Sequence, residues 1–168
     1  DVIKNNRSIR ISAVKPGNKK KLPQGDISKY LFLGNFVPFV SILYKRKAII
    51  EAGDFSKFKH CPDYYLTLSI AIKYDVLGLD RILCFYRIHD YNLSNFIEEI
   101  GILESIEIVN LLSKKHNFKN ILKVHEIRYL AYLLKNNKFR KIFDLLKEIN
   151  IFNLILGTIA LIKYKSKF

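Results

Sequence analysis

Acidic side chains are scarce in this chain, as are the residues that build metal and redox sites. Asp and Glu number 15 against 29 Lys and Arg, a formal net charge of +14. A surface that basic is attracted to polyanions, whether nucleic acid, acidic lipid headgroups or nucleotide phosphates. There are two cysteines, Cys61 and Cys84, with no CxxC pair and no histidine at finger spacing, which excludes a zinc finger. Unbridged thiols in a reducing compartment are expected, with one disulfide as the alternative. No Asp-x-Asp and no glycine-rich phosphate loop occurs, so two common ways of holding a nucleoside diphosphate are missing. No apolar run reaches the roughly 20 residues of a transmembrane helix. No stretch has the pattern of a signal peptide. The sequence opens on Asp1 and holds no methionine, so a piece of a longer protein is expected.

What is present is enough to fold. The chain has 168 residues, 49% hydrophobic and 26% charged, which suits one packed globular domain and not a disordered tail. Residues 7–13 alternate polar and apolar like a half-buried strand. A loop follows, broken by Pro16, Gly17, Pro23 and Gly25 around Lys19-Lys20-Lys21. Asp26 or Ser28 caps a predicted short helix through Leu33, ended by Gly34. Phe36–Tyr44 reads as a buried strand interrupted at Pro38, and residues 45–52 as a helix stopped by Gly53. From Asp63 to Tyr74 the residues are apolar on most sides, which predicts a helix buried against a sheet. Val76–Leu79 and Ile82–Ile88 read as an extended return and a buried strand. Strands alternating with helices predict an α/β domain.

Beyond Asn95 the periodicity turns helical throughout. Ile100, Leu103, Ile106, Val109 and Leu112 make one stripe. Ile127, Leu130, Ala131 and Leu134 make a second, and Phe139, Ile142, Phe143, Leu146 and Ile149 a third. Asn117, Asn120 and Asn136-Asn137 fall at the predicted turns. The last segment, residues 149–168, ends in Lys163, Lys165 and Lys167. It reads either as a buried final helix with a basic tail or as a helix lying in a membrane interface on acidic headgroups.

Five pieces of the first part stand in a telling order. Asn35 and Pro38 precede Ser41-Ile42-Leu43-Tyr44-Lys45-Arg46. Glu51-Ala52-Gly53-Asp54-Phe55 follows, then Pro62-Asp63-Tyr64, then Tyr86-Arg87-Ile88-His89 with Asn92 and Ser94. Together they resemble the C-terminal half of the catalytic domain of family-two inverting glycosyltransferases, which have the A-type glycosyltransferase fold. The resemblance covers about residues 1–95 and is carried by the family's serine-led strand, glycine turn, Glu-Asp-Tyr motif and Tyr-Arg-x-His ending. Two positions depart from it: Asp54 replaces a glycine and Pro62 a glutamate. No family motif is found in residues 96–168.

The resemblance implies an α/β fold, a partial Rossmann-like A-type glycosyltransferase domain (residues 1–95, the acceptor-side half), followed by an all-helical region (residues 96–168). It implies an enzyme of polysaccharide biosynthesis at the cell envelope. The complete protein would transfer a sugar from a nucleotide-sugar donor to a glycan or lipid-linked acceptor with inversion. Asp63 would be the catalytic general base. Asn35, Ser41, Arg87 and His89 would bind substrate, and His89 is also the candidate metal ligand. The complete enzyme would use a divalent metal, Mn or Mg, with none assigned to this chain itself. The chain alone is expected to be inactive, because the nucleotide-binding half with its Asp-x-Asp is not in it. The expected location is cytoplasmic, peripheral on the inner face of the cell membrane. The alternative is a non-catalytic basic helical module that binds an acidic partner or an acidic membrane surface. Nucleic acid ranks last, since the basic residues are spread out and no nucleic-acid motif occurs.

Overall fold

Two punctuation marks near the start, Asp26 and Gly34, bound the first ordered helix. The computed structural model of the chain describes residues 2–4, 7–9, 24–79, 81, 83–88, 90, 98–114, 119–149, 155 and 158–159. The chain divides into two units: residues 1–57 with 62–97, and residues 58–61 with 98–168.

In the first unit, α1 (Ser28–Leu33) starts where the Asp26 carboxylate accepts from the Ser28 amide at 2.9 Å and from its hydroxyl at 2.6 Å. Both bonds favour the ionised carboxyl and hold the Asp26 pKa below its usual value. Residues Phe39–Ser41 then form one 3-10 turn. Helix α2 (Arg46–Ala52) ends at Gly53, whose φ of 84° is a left-handed conformation that glycine adopts without a Cβ clash. Helix α3 (Pro62–Ala71) starts with proline, which lacks the N–H a first turn would leave unpaired. Its Leu66 and Ile70 pack with Ala48 of α2, and Tyr44, Ile49, Ala52 and Tyr74 border them. Tyr64 is buried and donates its phenol to the Leu31 carbonyl at 2.7 Å, tying α3 to α1. Beyond α3, Tyr74 donates its phenol to Glu51, whose carbonyl also accepts from Lys73 Nζ at 2.6 Å.

The expected α/β fold, with a partial Rossmann-like A-type glycosyltransferase domain, is not what the described residues form. They are mainly helical. Their sheet consists of three strands of three residues each: β1 (Val2–Lys4), β2 (Arg7–Ile9) and β3 (Tyr86–Ile88). β1 pairs antiparallel with β2 and parallel with β3, with Val2 opposite Ile9 and Tyr86. Of the runs predicted to be buried strands, Ile82–Ile88 forms one only at Tyr86–Ile88 and Phe36–Tyr44 forms a 3-10 turn in place of a strand. Pro38 turns the chain, Ser41 Oγ donates back to the Pro38 carbonyl at 2.7 Å, and Phe39, Val40 and Leu43 are left exposed. Val76 makes only an isolated bridge, to Gly25, and Leu77, Leu79, Leu83 and Phe85 are exposed. Apolar, β-branched composition is compatible with a buried strand but does not supply a pairing partner.

The second unit is helical in its described residues: α4 (Glu98–Ser113), α5 (Lys119–Lys135) and α6 (Phe139–Glu148), with α4 packing on α5 and α5 on α6. Asn120 lies inside α5 and not at a turn. The segment Phe58–Cys61 belongs to this unit through Glu104 of α4. Its carboxylate accepts from the amides of Lys59 (2.9 Å), His60 (2.7 Å) and Cys61 (2.5 Å). Such charge-assisted bonds are stronger than neutral ones.

Between α5 and α6 the chain closes a Schellman motif. The Asn137 amide donates to the Leu134 carbonyl at 3.2 Å and the Lys138 amide to the Leu133 carbonyl at 3.0 Å. Asn137 holds the left-handed φ of 53° that this motif requires. Asn tolerates that conformation and a β-branched residue does not. Asn137→Val is therefore expected to lower the stability of the helical unit by about 1–2 kcal/mol, and Asn137→Gly to leave it within about 0.5 kcal/mol. Urea unfolding followed by circular dichroism checks both.

Glu99 joins the three helices electrostatically. It accepts from Lys141 Nζ at 2.6 Å, from Tyr129 of α5 at 3.1 Å and from Lys138 Nζ. The Lys138 bond, then the Lys141 bond, pulls the Glu99 pKa down to about 2 from 4.5. A depressed carboxyl contributes stability above its unfolded pKa and loses it as pH falls toward the folded one. The Glu99 clamp is therefore expected to weaken from pH 4.5 down to about 2. The two lysines are partly solvated, so water screens part of the gain. Thermal melts at stepped pH should show this acid-limb loss in the native chain and lack it in Glu99→Gln.

Candidate functional site

The first turn of α3 brings together the groups that can do chemistry in the first unit. Pro62 opens the helix, so Asp63 lies in its first turn, where the helix dipole favours negative charge. Asp63 is half-buried. Its carboxylate has no hydrogen-bond or ion-pair partner among the described residues. Its backbone carbonyl is engaged, accepting from Thr67 Oγ one turn on at 2.7 Å. Thr67 is buried, and its hydroxyl also meets the Tyr44 phenol at 2.6 Å. Because Thr67 spends its one proton on the Asp63 carbonyl, Tyr44 is the donor in that second bond. The result is a directed chain from Tyr44 through Thr67 to the backbone of Asp63.

Tyr44 feels the acid nearby. Burial pushes its phenol pKa up, and the negative charge of Asp63 raises it further. The Tyr44 proton is thereby held on the phenol, which stays a donor. Phe39 tilts toward Tyr44, with ring centroids 6.2 Å apart and planes at 43°. Phe39, Val40 and Leu43 are exposed on the same turn, so partly open aromatic and aliphatic surface adjoins Tyr44.

The other residues singled out from the sequence have different settings. Asn35 Oδ1 accepts from the Val37 amide at 3.4 Å, a local turn contact. Ser41 uses its hydroxyl to close the turn at Pro38. Arg87 is exposed, in the middle of β3. His89, with Asn92 and Ser94, lies outside the described residues. Among the described residues no three His, Cys, Asp or Glu side chains gather in a way that could hold a metal ion. Cys61 and Cys84 are not joined in a disulfide, and the Cys61 thiol donates to the Gly101 carbonyl at 3.4 Å.

Thr67 and Tyr44 are the additions the structure makes. Thr67 stands four residues after Asp63, on the same helix face, which is the one sign of it in the sequence. Tyr44 lies inside the Ser41–Arg46 stretch but carries no pattern that marks it. No family model matches the chain, and neither the curated proteins nor the solved structures contain a match.

Proposed function

We propose that this chain provides the acceptor-side base of an inverting glycosyl transfer, with Asp63 in that role. The observation that carries the reading is a half-buried carboxylate at a helix start, without a partner among the described residues, beside a phenol held in its protonated form. In the reaction an Asp63 carboxylate oxygen takes the proton of the acceptor hydroxyl as that oxygen attacks the anomeric carbon. The new glycosidic bond forms as the bond to the diphosphate oxygen breaks, with the electron pair leaving on the diphosphate. The attack comes from the opposite face, so the configuration inverts. The Tyr44 phenol oxygen, its proton committed to Thr67, can accept from a sugar hydroxyl, and the exposed Phe39–Leu43 turn supplies apolar contacts of the kind a sugar ring uses. The donor is a nucleotide-sugar whose diphosphate, with Mn or Mg, is held elsewhere in the complete enzyme. The acceptor is a glycan or lipid-linked saccharide.

Incubation of the intact enzyme with a panel of nucleoside-diphosphate sugars and oligosaccharide acceptors tests this. The product anomer is read by NMR coupling constants. Inversion is expected. Retention of configuration would sink the proposal, as would hydrolysis of the donor with no sugar reaching an acceptor.

A further inference from the structure

We propose that α6 lies flat on an anionic lipid surface through its Phe139–Phe143–Leu146 face. The inference is independent of the sugar-transfer reading. The periodicity placed Phe139, Ile142, Phe143, Leu146 and Ile149 on one stripe; the structure buries Ile149, which follows the last residue of the helix, and none of the four within it. Phe139 is 69% exposed, Phe143 63% and Leu146 43%. At helical spacing these three fall within an arc of about 60°. Ile142 and Leu145 lie to one side of that arc and are half-buried, in a helix that packs on α5. The arc thus faces away from the helix partner.

Its border is cationic. Arg140 and Lys147 flank it next to Phe143, and Lys147 Nζ sits 4.5 Å from the Phe143 ring centroid. Lys138 and Lys141 are turned the other way and are committed to Glu99. The helix's own acids, Asp144 and Glu148, lie beyond Arg140 on the far side of the wheel. Residues 98–168 carry thirteen Lys and Arg against seven Asp and Glu, so the unit as a whole is drawn to negative charge. Ile155 and Ile159 are exposed as well.

An apolar aromatic face edged by long cationic side chains is what an interfacial helix presents. The rings enter the headgroup–acyl boundary while the Arg and Lys stems snorkel to the phosphates. No helix among the described residues is long and apolar enough to cross a membrane, and the geometry here is one of lying on it.

The test uses the whole chain with phosphatidylcholine vesicles, with and without about one quarter phosphatidylglycerol. The sequence has no tryptophan, so Phe143→Trp introduces a single reporter. Its emission is expected to shift to the blue with the anionic vesicles only, and the shift to shrink in high salt. Phe139→Ser with Phe143→Ser should lower vesicle sedimentation about tenfold or more. Arg140→Gln with Lys147→Gln should lower it about fivefold per charge. These sites are exposed, and circular dichroism should show an unchanged fold. The proposal is overturned if no vesicle is bound, or if the Phe143→Trp reporter stays in water while Ile155→Trp reports transfer. It is also overturned if the face proves to be a self-association surface, with the native chain dimeric and the Phe139→Ser/Phe143→Ser chain monomeric in the absence of lipid.

Discussion

Asp63→Asn is expected to lower glycosyl transfer by about a hundredfold to ten-thousandfold, the range general-base catalysis contributes. That corresponds to roughly 3–5 kcal/mol added to the barrier. The cost to folding should be much smaller. Asn keeps the shape and loses only a negative charge in the first turn of α3, a loss of about 0.3–1 kcal/mol. The two magnitudes separate the roles. Were Asp63 only a helix-start residue, Asn would serve nearly as well, because Asn and Asp are comparable at helix starts. Normal transfer by a folded Asp63→Asn enzyme would therefore remove Asp63 from the chemistry. A loss of kcat with KM little changed is the expected split, since proton removal is needed only as the transition state forms.

The local punctuation of the chain was readable from its residues. Asp26 before α1, Gly53 after α2, Pro62-Asp63 opening α3 and Asn136-Asn137 between α5 and α6 all act through short-range backbone geometry, and each stands where expected. The burial of α3 was readable too, because apolar residues surround it on most sides, but it packs on α1 and α2 and not on the expected sheet.

What failed was long-range. A strand needs a partner, and Phe36–Tyr44 and Ile82–Phe85 had the composition of strands without any residue-level sign of where a partner would be. The stripes on α4 and α5 were placed only in part: Val109 is buried as expected and Ile106, Leu112, Ile127 and Leu130 are half-buried. Ile100, Leu103 and Leu134 are exposed, while Ile108, Val124, His125 and Leu133, outside the predicted stripes, are buried. Both helices have apolar residues on several faces, so several stripes fit equally well. A histidine on the buried face cannot be anticipated from periodicity. At the candidate site the acid was legible and its setting was not. The Tyr44–Thr67 bond joins residues 23 apart in sequence, and nothing local encodes that approach.

The largest structural effect is expected at Leu68. It is fully buried on α3, between Thr67, which takes the Tyr44 bond, and Ser69, whose buried hydroxyl has no partner among the described residues. Leu68→Ala removes side-chain volume that the surrounding helices cannot wholly refill, at a cost of about 2–5 kcal/mol. Against a total of about 5–15 kcal/mol for a domain, that is enough to populate unfolded chain under mild heating. Leu68→Met conserves volume and should cost less than about 1.5 kcal/mol. Denaturant melts of the three variants, run beside transfer assays, then distinguish chemistry from scaffolding. Asp63→Asn should lose activity with its melt nearly intact. Leu68→Ala should lose activity in proportion to its unfolded fraction and regain it on cooling or with added osmolyte. If Leu68→Ala melts like the native protein, α3 is not a packed core element, and the placement of Asp63 on it loses its support.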